Sequence, residues 1–198
     1  AAFAAPRFFI RRKTMTVKKI MALAAELCGR RDLSDYLNNV SAENLAEQER
    51  DARTLLQCYN LTENEIALDY LPLRRTQKIE SEGYISYTEF EKPPVEILSV
   101  RDASGRKQTF ETDADGIKVP AGALTAEYSY RPAVKTGEEE AEFNAKGDGR
   151  LLALGTACEF ALFSGMMQEA GLLDKRYRDA LACACRERGG RLKMRRWI

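Results

Sequence analysis

Three groups of residues in this sequence have the types and spacing to hold a cation or attack a substrate. Cys183 and Cys185 form a Cys-x-Cys pair, Asp113-x-Asp115-Gly116 begins like a calcium loop, and Glu138-Glu139-Glu140 with Glu142 concentrates carboxylates in one stretch. None of the three is completed. A structural zinc site is built from four cysteine or histidine ligands, and the chain offers no histidine and no second closely spaced cysteine pair. No bidentate glutamate follows Asp113 at EF-hand spacing, so this stretch is expected to be a hairpin turn. The glutamate run is expected to be a solvated loop.

Without histidine, no Ser-His-Asp or Cys-His arrangement is possible, and acid-base work would fall on carboxylates, lysine or tyrosine. Neither GxxxxGK[ST] nor GxGxxG after a strand is present, so both common phosphate cradles are missing. The expectation is a protein that is not an enzyme, with no catalytic residues, no cofactor and no metal. Its cysteines, Cys28, Cys58, Cys158, Cys183 and Cys185, are odd in number and lie among apolar residues, which fits buried free thiols in a reducing compartment.

The most informative chemistry lies at the C-terminus. Arg191, Lys193, Arg195 and Arg196 surround Met194 and Trp197, with Ile198 last. This stretch offers charge for an acidic groove or a phosphate backbone, and large apolar anchors of the kind that dominate interface energy. It is the candidate partner-docking tail.

Charge is uneven although the net charge is only +1 over 198 residues. Residues 1–31 carry eight basic side chains against Glu26 alone, and residues 32–71 carry nine acids against Arg50 and Arg53. Such polarity suits head-to-tail contacts between copies or with another protein. A net charge so near zero argues against a protein that coats nucleic acid through bulk charge. No run of 18 apolar residues is present to span a membrane. Residues 1–14 are expected to be a flexible or non-native extension, because Met15-Thr16-Val17 reads as a start.

These residues need positioning. Ser41 to Tyr70 is expected to form one long helix, about 45 Å at ~1.5 Å per residue. Leu45, Ala52, Tyr59 and Ile66, broadened by Leu55, Leu56 and Tyr70, form its apolar stripe, and Pro72 ends it. Ser41 or Asn44 is the expected cap. Glu47, Glu49, Asp51, Glu63 and Glu65 form its expected acidic face, a candidate subunit contact. An earlier helix, Val17 to Cys28, is expected to be capped by Thr16 and to leave through Gly29, and a short segment, Leu33 to Leu37, follows.

After Pro72 the period shortens. Lys78–Glu80, Tyr84–Phe90, Val95–Arg101, Lys107–Glu111, Ile117–Val119 and Leu124–Tyr130 read as strands of an antiparallel meander, barrel-like in outline, with turns at Asp102–Gly105 and Asp113–Gly116. Helix resumes over Leu151–Ala170, where Gly155 and Gly165 leave room for close helix approach, and a last helix capped by Asp174 stops at Gly189-Gly190. The expected fold is α+β: a discontinuous helical bundle (15–72 and 150–190), a β insert (73–133), an acidic loop (134–149) and the basic tail (191–198).

This organisation, with "CYNLTENEIALDYLPL" before the insert, "VPAGALTAEYSYRP" closing it, and "ALGTACEFALFSGMMQEAGLLDKRYRDAL" leading to "RLKMRRWI", resembles the head-tail connector proteins of tailed phages and prophages, also called adaptor or head-completion proteins. The similarity covers Met15 to Ile198 and rests on layout and phrases, with no catalytic motif. The large insert is closer to the tail-tubular type of adaptor than to the shorter, mainly helical members.

The resemblance implies a structural virion protein, assembled in the bacterial host cytoplasm as a homo-oligomeric ring, commonly of twelve copies, and a monomer when isolated. Its implied partners are the portal protein and the next connector or tail protein, with DNA passing through the lumen. By position, portal docking would fall to Arg191, Lys193, Arg195, Arg196, Trp197 and Ile198. The competing reading from the residues is a cytosolic nucleic-acid-binding regulator that uses the basic ends and Tyr84, Tyr87, Tyr128 and Tyr130 as stacking aromatics.

Overall fold

The computed structural model describes residues 15–41, 44–143 and 146–186. Within them the chain is α+β, with antiparallel sheets inserted between helices. Helices α1 (Val17–Leu27), α2 (Arg31–Leu37) and α3 (Leu45–Glu65) precede the insert, and α4 (Gly149–Phe163) and α5 (Met167–Cys185) follow it.

The centre of the bundle is α4. Leu151 to Cys158, Phe160 and Ala161 are all buried, so this helix has no solvent face over two full turns and is packed by α1, α3 and α5. A helix that is apolar all round is stable only when enclosed. Gly155 permits the closest approach. A Cβ there would lie 2.4 Å from Thr62 Cγ2 and 2.9 Å from the Tyr177 ring, so α3 and α5 meet α4 at a point where no side chain fits. Asp148 caps α4 by accepting from Leu151 N at 2.8 Å.

The last two helices divide differently from the expectation. The break falls at Ser164 to Met166, where Gly165 takes the left-handed conformation (φ 74°) that ends a helix. Asp174 caps nothing; it lies within α5 and pairs with Arg178 one turn on, at 2.9 Å. Gly165 makes no close helix contact, and that expected role belongs to Gly155 alone.

The long helix starts later than expected, at Leu45, with no side-chain cap from Asn44. Leu45 is 55% exposed and lies outside the core, while Leu55, Cys58, Tyr59 and Ile66 are buried in it. The final turn, Ile66–Tyr70, widens to π geometry, with Leu71 N donating to Ile66 O at 2.7 Å. The wider turn buries Ile66, Ala67 and Leu71 and leaves Tyr70 outside.

In the insert, β1 (Leu73–Ser81), β7 (Gly122–Tyr130), β3 (Pro94–Asp102) and β4 (Lys107–Gln108) lie in the order β1-β7-β3-β4, and β2 (Tyr84–Ser86), β6 (Gly116–Lys118) and β5 (Glu111–Thr112) form a second sheet ordered β2-β6-β5. This is neither a simple meander nor a closed barrel. The first and last long strands pair over nine residues, from Leu73 opposite Tyr130 to Ser81 opposite Gly122, so the insert leaves and re-enters the bundle at one place. Both expected turns occur. Asp102 Oδ1 accepts from Ser104 N (2.8 Å) and Arg106 N (3.0 Å) in one, and Asp113 N donates to Gly116 O (2.8 Å) in the other. The insert has its own core of Ile85, Phe90, Ile97, Val100, Ile117, Val119, Leu124, Ala126 and Tyr128, with Phe90 edge-on to Tyr128 at 4.8 Å.

Gly155→Val is expected to destabilise the chain by about 2 kcal/mol or more, because the added carbons overlap two packed helices. A urea denaturation midpoint equal to wild type would contradict this packing.

Candidate functional site

The junction between insert and bundle concentrates the buried polar chemistry of the described residues. The segment 134–143, expected to be a solvated acidic loop, keeps Glu138, Glu139 and Glu140 exposed, but its backbone is laid against α1 and α3. Val17 N donates to Glu139 O (2.9 Å), Lys18 N to Gly137 O (2.8 Å) and Ala141 N to Met15 O (3.1 Å). The loop thereby supplies acceptors for the first amides of α1, a need that the Thr16 side chain, the expected cap, does not meet. Ala141 is buried and Phe143 packs against the bundle core.

Glu142 stands at the centre. Its Oε1 accepts from Lys135 Nζ at 3.0 Å and Lys92 Nζ at 3.2 Å, and its carboxylate also accepts from the Tyr130 hydroxyl. Lys92 in turn lies 5.7 Å over the Tyr130 ring. Burial works to raise the Glu142 carboxyl, but the bonds from Lys135 and Tyr130 outweigh it and hold the group below its ordinary range. On the bundle side, Glu63 is buried and accepts from Tyr59 Oη at 2.8 Å and from Glu142 N at 2.8 Å. Burial dominates there and raises the Glu63 carboxyl. Asn60 completes the joint, taking Lys135 N on its Oδ1 (2.7 Å) and giving Nδ2 to Lys135 O (3.1 Å). One connected set thus ties α3, the loop, the strand end at Tyr130 and the approach to β3.

This chemistry holds structure. Every carboxylate in it is engaged by lysine, tyrosine or backbone amide. The buried thiols are likewise unsuited to attack: burial pushes Cys28 up to about 12 and both Cys58 and Cys158 up to about 11, where the reactive thiolate is scarce. All five cysteines are free, but not all are buried as expected: Cys58 and Cys158 are buried, Cys28 and Cys185 only partly so, and Cys183 is exposed. Among the described residues no group of three or more His, Cys, Asp or Glu could hold a metal. No helix among them is long and apolar enough to cross a membrane. An open groove of about 580 Å³ between the start of α4 and the end of α5 is lined by Lys146, Arg150 and Arg176 with Asp148 and Asp179. Asp148 there is already committed to capping α4.

The expected acidic face of α3 is not assembled. Glu63 is 2% exposed and belongs to the junction, where it meets the loop. Glu65 accepts from Tyr177 Oη at 3.2 Å. Asp51 pairs with Arg30 at 2.9 Å, and Glu49 with Arg53 at 3.7 Å. Only Glu47 of the five is fully on the surface, where it accepts from Asn44 at 3.4 Å. The outward stripe of α3 is Ala46, Arg50, Arg53, Gln57 and Leu61, basic rather than acidic. Of the expected stacking aromatics, Tyr128 is fully buried with its hydroxyl donating to Gln77 Oε1 at 3.1 Å, and Tyr84 is 41% exposed. The tail residues Arg191, Lys193, Arg195, Arg196, Trp197 and Ile198 and the extension 1–14 lie outside the described residues.

The sequence matches no protein-family model and no curated protein.

Glu142→Gln is expected to lower stability at neutral pH by about 2 kcal/mol, because two lysines and a tyrosine lose a charged acceptor. Glu142 is held below its unfolded value, so its contribution is complete above about 4.5 and is lost as pH falls through the lower folded value. The wild-type and variant denaturation midpoints should therefore converge in acid. A constant difference down to the lowest pH at which both fold would contradict the assignment.

Proposed function

We propose that this chain is a structural connector of a phage or prophage particle, a head-tail adaptor that assembles as a homo-oligomeric ring between portal and tail with DNA passing through it. The observation that carries this reading is how reactive and apolar groups are distributed. The buried carboxylates are engaged in internal structure and burial raises the Cys58 and Cys158 thiols, while large apolar side chains stand outside: Phe163 is 75% exposed, Met167 67% and Leu162 46%, all at the α4–α5 corner. Clustered exposed apolar bulk on a well-packed bundle favours protein contact over small-molecule chemistry.

The resemblance in layout supports the same conclusion, and the basic tail with Trp197 and Ile198 is the proposed portal-docking segment. An acidic α3 face is not part of the proposed contact between copies, since Glu63, Glu65, Asp51 and Glu49 are engaged by other groups of the chain and Glu47 alone is fully on the surface. Apolar packing between neighbours takes that place. The regulator reading loses a stacking residue with Tyr128 buried, although the Arg50 and Arg53 stripe leaves a basic surface for phosphate.

Truncation after Gly190 is expected to abolish binding to the portal protein from the same genome while leaving the circular dichroism spectrum unchanged. Undiminished portal binding by the truncated chain would count against the connector reading. Tight DNA binding by the isolated chain, falling steeply with salt, would favour the regulator.

A further inference from the structure

The four-stranded sheet ends in β1 on one side and β4 on the other, and the two edges differ. An open edge offers unpaired N–H and C=O groups to any extended segment, and proteins usually blunt it with short or bulged strands. The β4 side is blunted in both ways. β4 is two residues long, and β3 behind it is bulged between Pro94 and Glu96 and again between Ile97 and Ser99. β1 has neither protection. It faces β7 over nine consecutive pairs with no shift of register, contains no proline, and has no other backbone partner among the described residues. Every second residue of β1 therefore turns its N–H and C=O outward.

The side chains of β1 between its buried ends fall into two rows. Arg74, Thr76, Lys78 and Glu80 are exposed on one face. Arg75, Gln77 and Ile79 are half-buried on the other, where Arg75 pairs with Glu91, and the Gln77 amide accepts from Glu91 N and donates to Glu89 O, both at 2.9 Å. The inner row is thus committed within the chain and holds the strand extended. In the outer row Arg74 lies 4.0 Å from Glu127, too far for a hydrogen bond.

We infer that β1 is a docking edge for β1 of a second copy, the two strands running antiparallel about a two-fold axis at Gln77. With Gln77 opposite the second copy's Gln77, all nine residues overlap. Arg74 then stands opposite the second copy's Glu80, Glu80 opposite its Arg74, and Thr76 opposite its Lys78. Other registers are penalised. A slip of one residue sets the exposed row against the half-buried one. A slip of two sets Lys78 against Lys78 in one direction and Arg74 against Lys78 in the other, like charges directly opposite in both cases.

Backbone hydrogen bonds supply the attraction, and the exposed charges select the register. The two four-stranded sheets become one continuous sheet. A two-fold contact closes at two copies and builds no ring, so this inference stands apart from the connector reading. Under that reading, it holds together chains that have not yet entered the ring.

Sedimentation of the full chain over a concentration series tests the contact. The expected result is a monomer–dimer equilibrium in which the dimer dominates at about 100 μM. Arg74→Glu and Glu80→Arg each place like charges across the two-fold and should weaken the dimer about tenfold or more, with circular dichroism unchanged. Mixed in equal amounts, the two variants again set arginine opposite glutamate at both positions. The mixture should regain wild-type association, which also shows that each variant is folded. A chain that stays monomeric at about 100 μM overturns the inference. So does a dimer that neither substitution weakens, because it uses another surface, and so does a mixture that associates no better than its components.

Discussion

Enclosure of α4 is the constraint on which the rest depends. A helix with Leu151, Leu152, Leu154, Cys158 and Phe160 buried on several sides cannot exist until α1, α3 and α5 surround it, so segments far apart in the chain must assemble together. The β insert interrupts the sequence but not that assembly, because β1 and β7 pair end to end and return the chain to its point of departure. Gly155 sets how close the helices come, and Asp148 fixes where α4 begins.

A second constraint acts at the joint. Two sheets with their own apolar core would be connected to the bundle only by Leu71 to Leu73 and the loop after Tyr130 if nothing else held them. Glu142 supplies the fastening: it gathers Lys92 and Tyr130 from the insert and Lys135 from its own loop, while its backbone amide engages Glu63 on α3. Burying two carboxylates this close is tolerable because each has donors of its own.

Much of the architecture is legible from periodicity. The change of period after Pro72, the two turns running from Asp to Gly and the helix stop at Gly29 appear in the structure as the residue pattern predicts. What the pattern hides is governed by partners distant in sequence. β1 extends back to Leu73 through Arg74, Arg75, Thr76 and Gln77, residues that look polar in isolation but present one face to β7 neighbours, as when Gln77 accepts from Tyr128. The α4–α5 break is marked by Ser164-Gly165, which within a long apolar run reads as small residues for packing. Burial of Glu63 follows from the loop's position. The junction itself left one local sign, Ala141 and Phe143 alternating with Glu142 inside an acidic run. That alternation is the pattern of a strand-like segment with one covered face. An acidic face on α3 is expected wrongly for the same reason: counting charges on a helix does not reveal that Arg30, Tyr177 and a backbone amide already engage them.

Under the proposed connector reading, the exposed apolar bulk of Leu162, Phe163 and Met167 is surface for contact with neighbouring copies or with the portal. Electron microscopy of the chain mixed with the portal protein of the same genome tests this most directly. The account predicts a ring of added density beneath the portal, each unit accommodating one helical bundle with its β insert. Portal particles without added density, at concentrations where both proteins are folded, would contradict it.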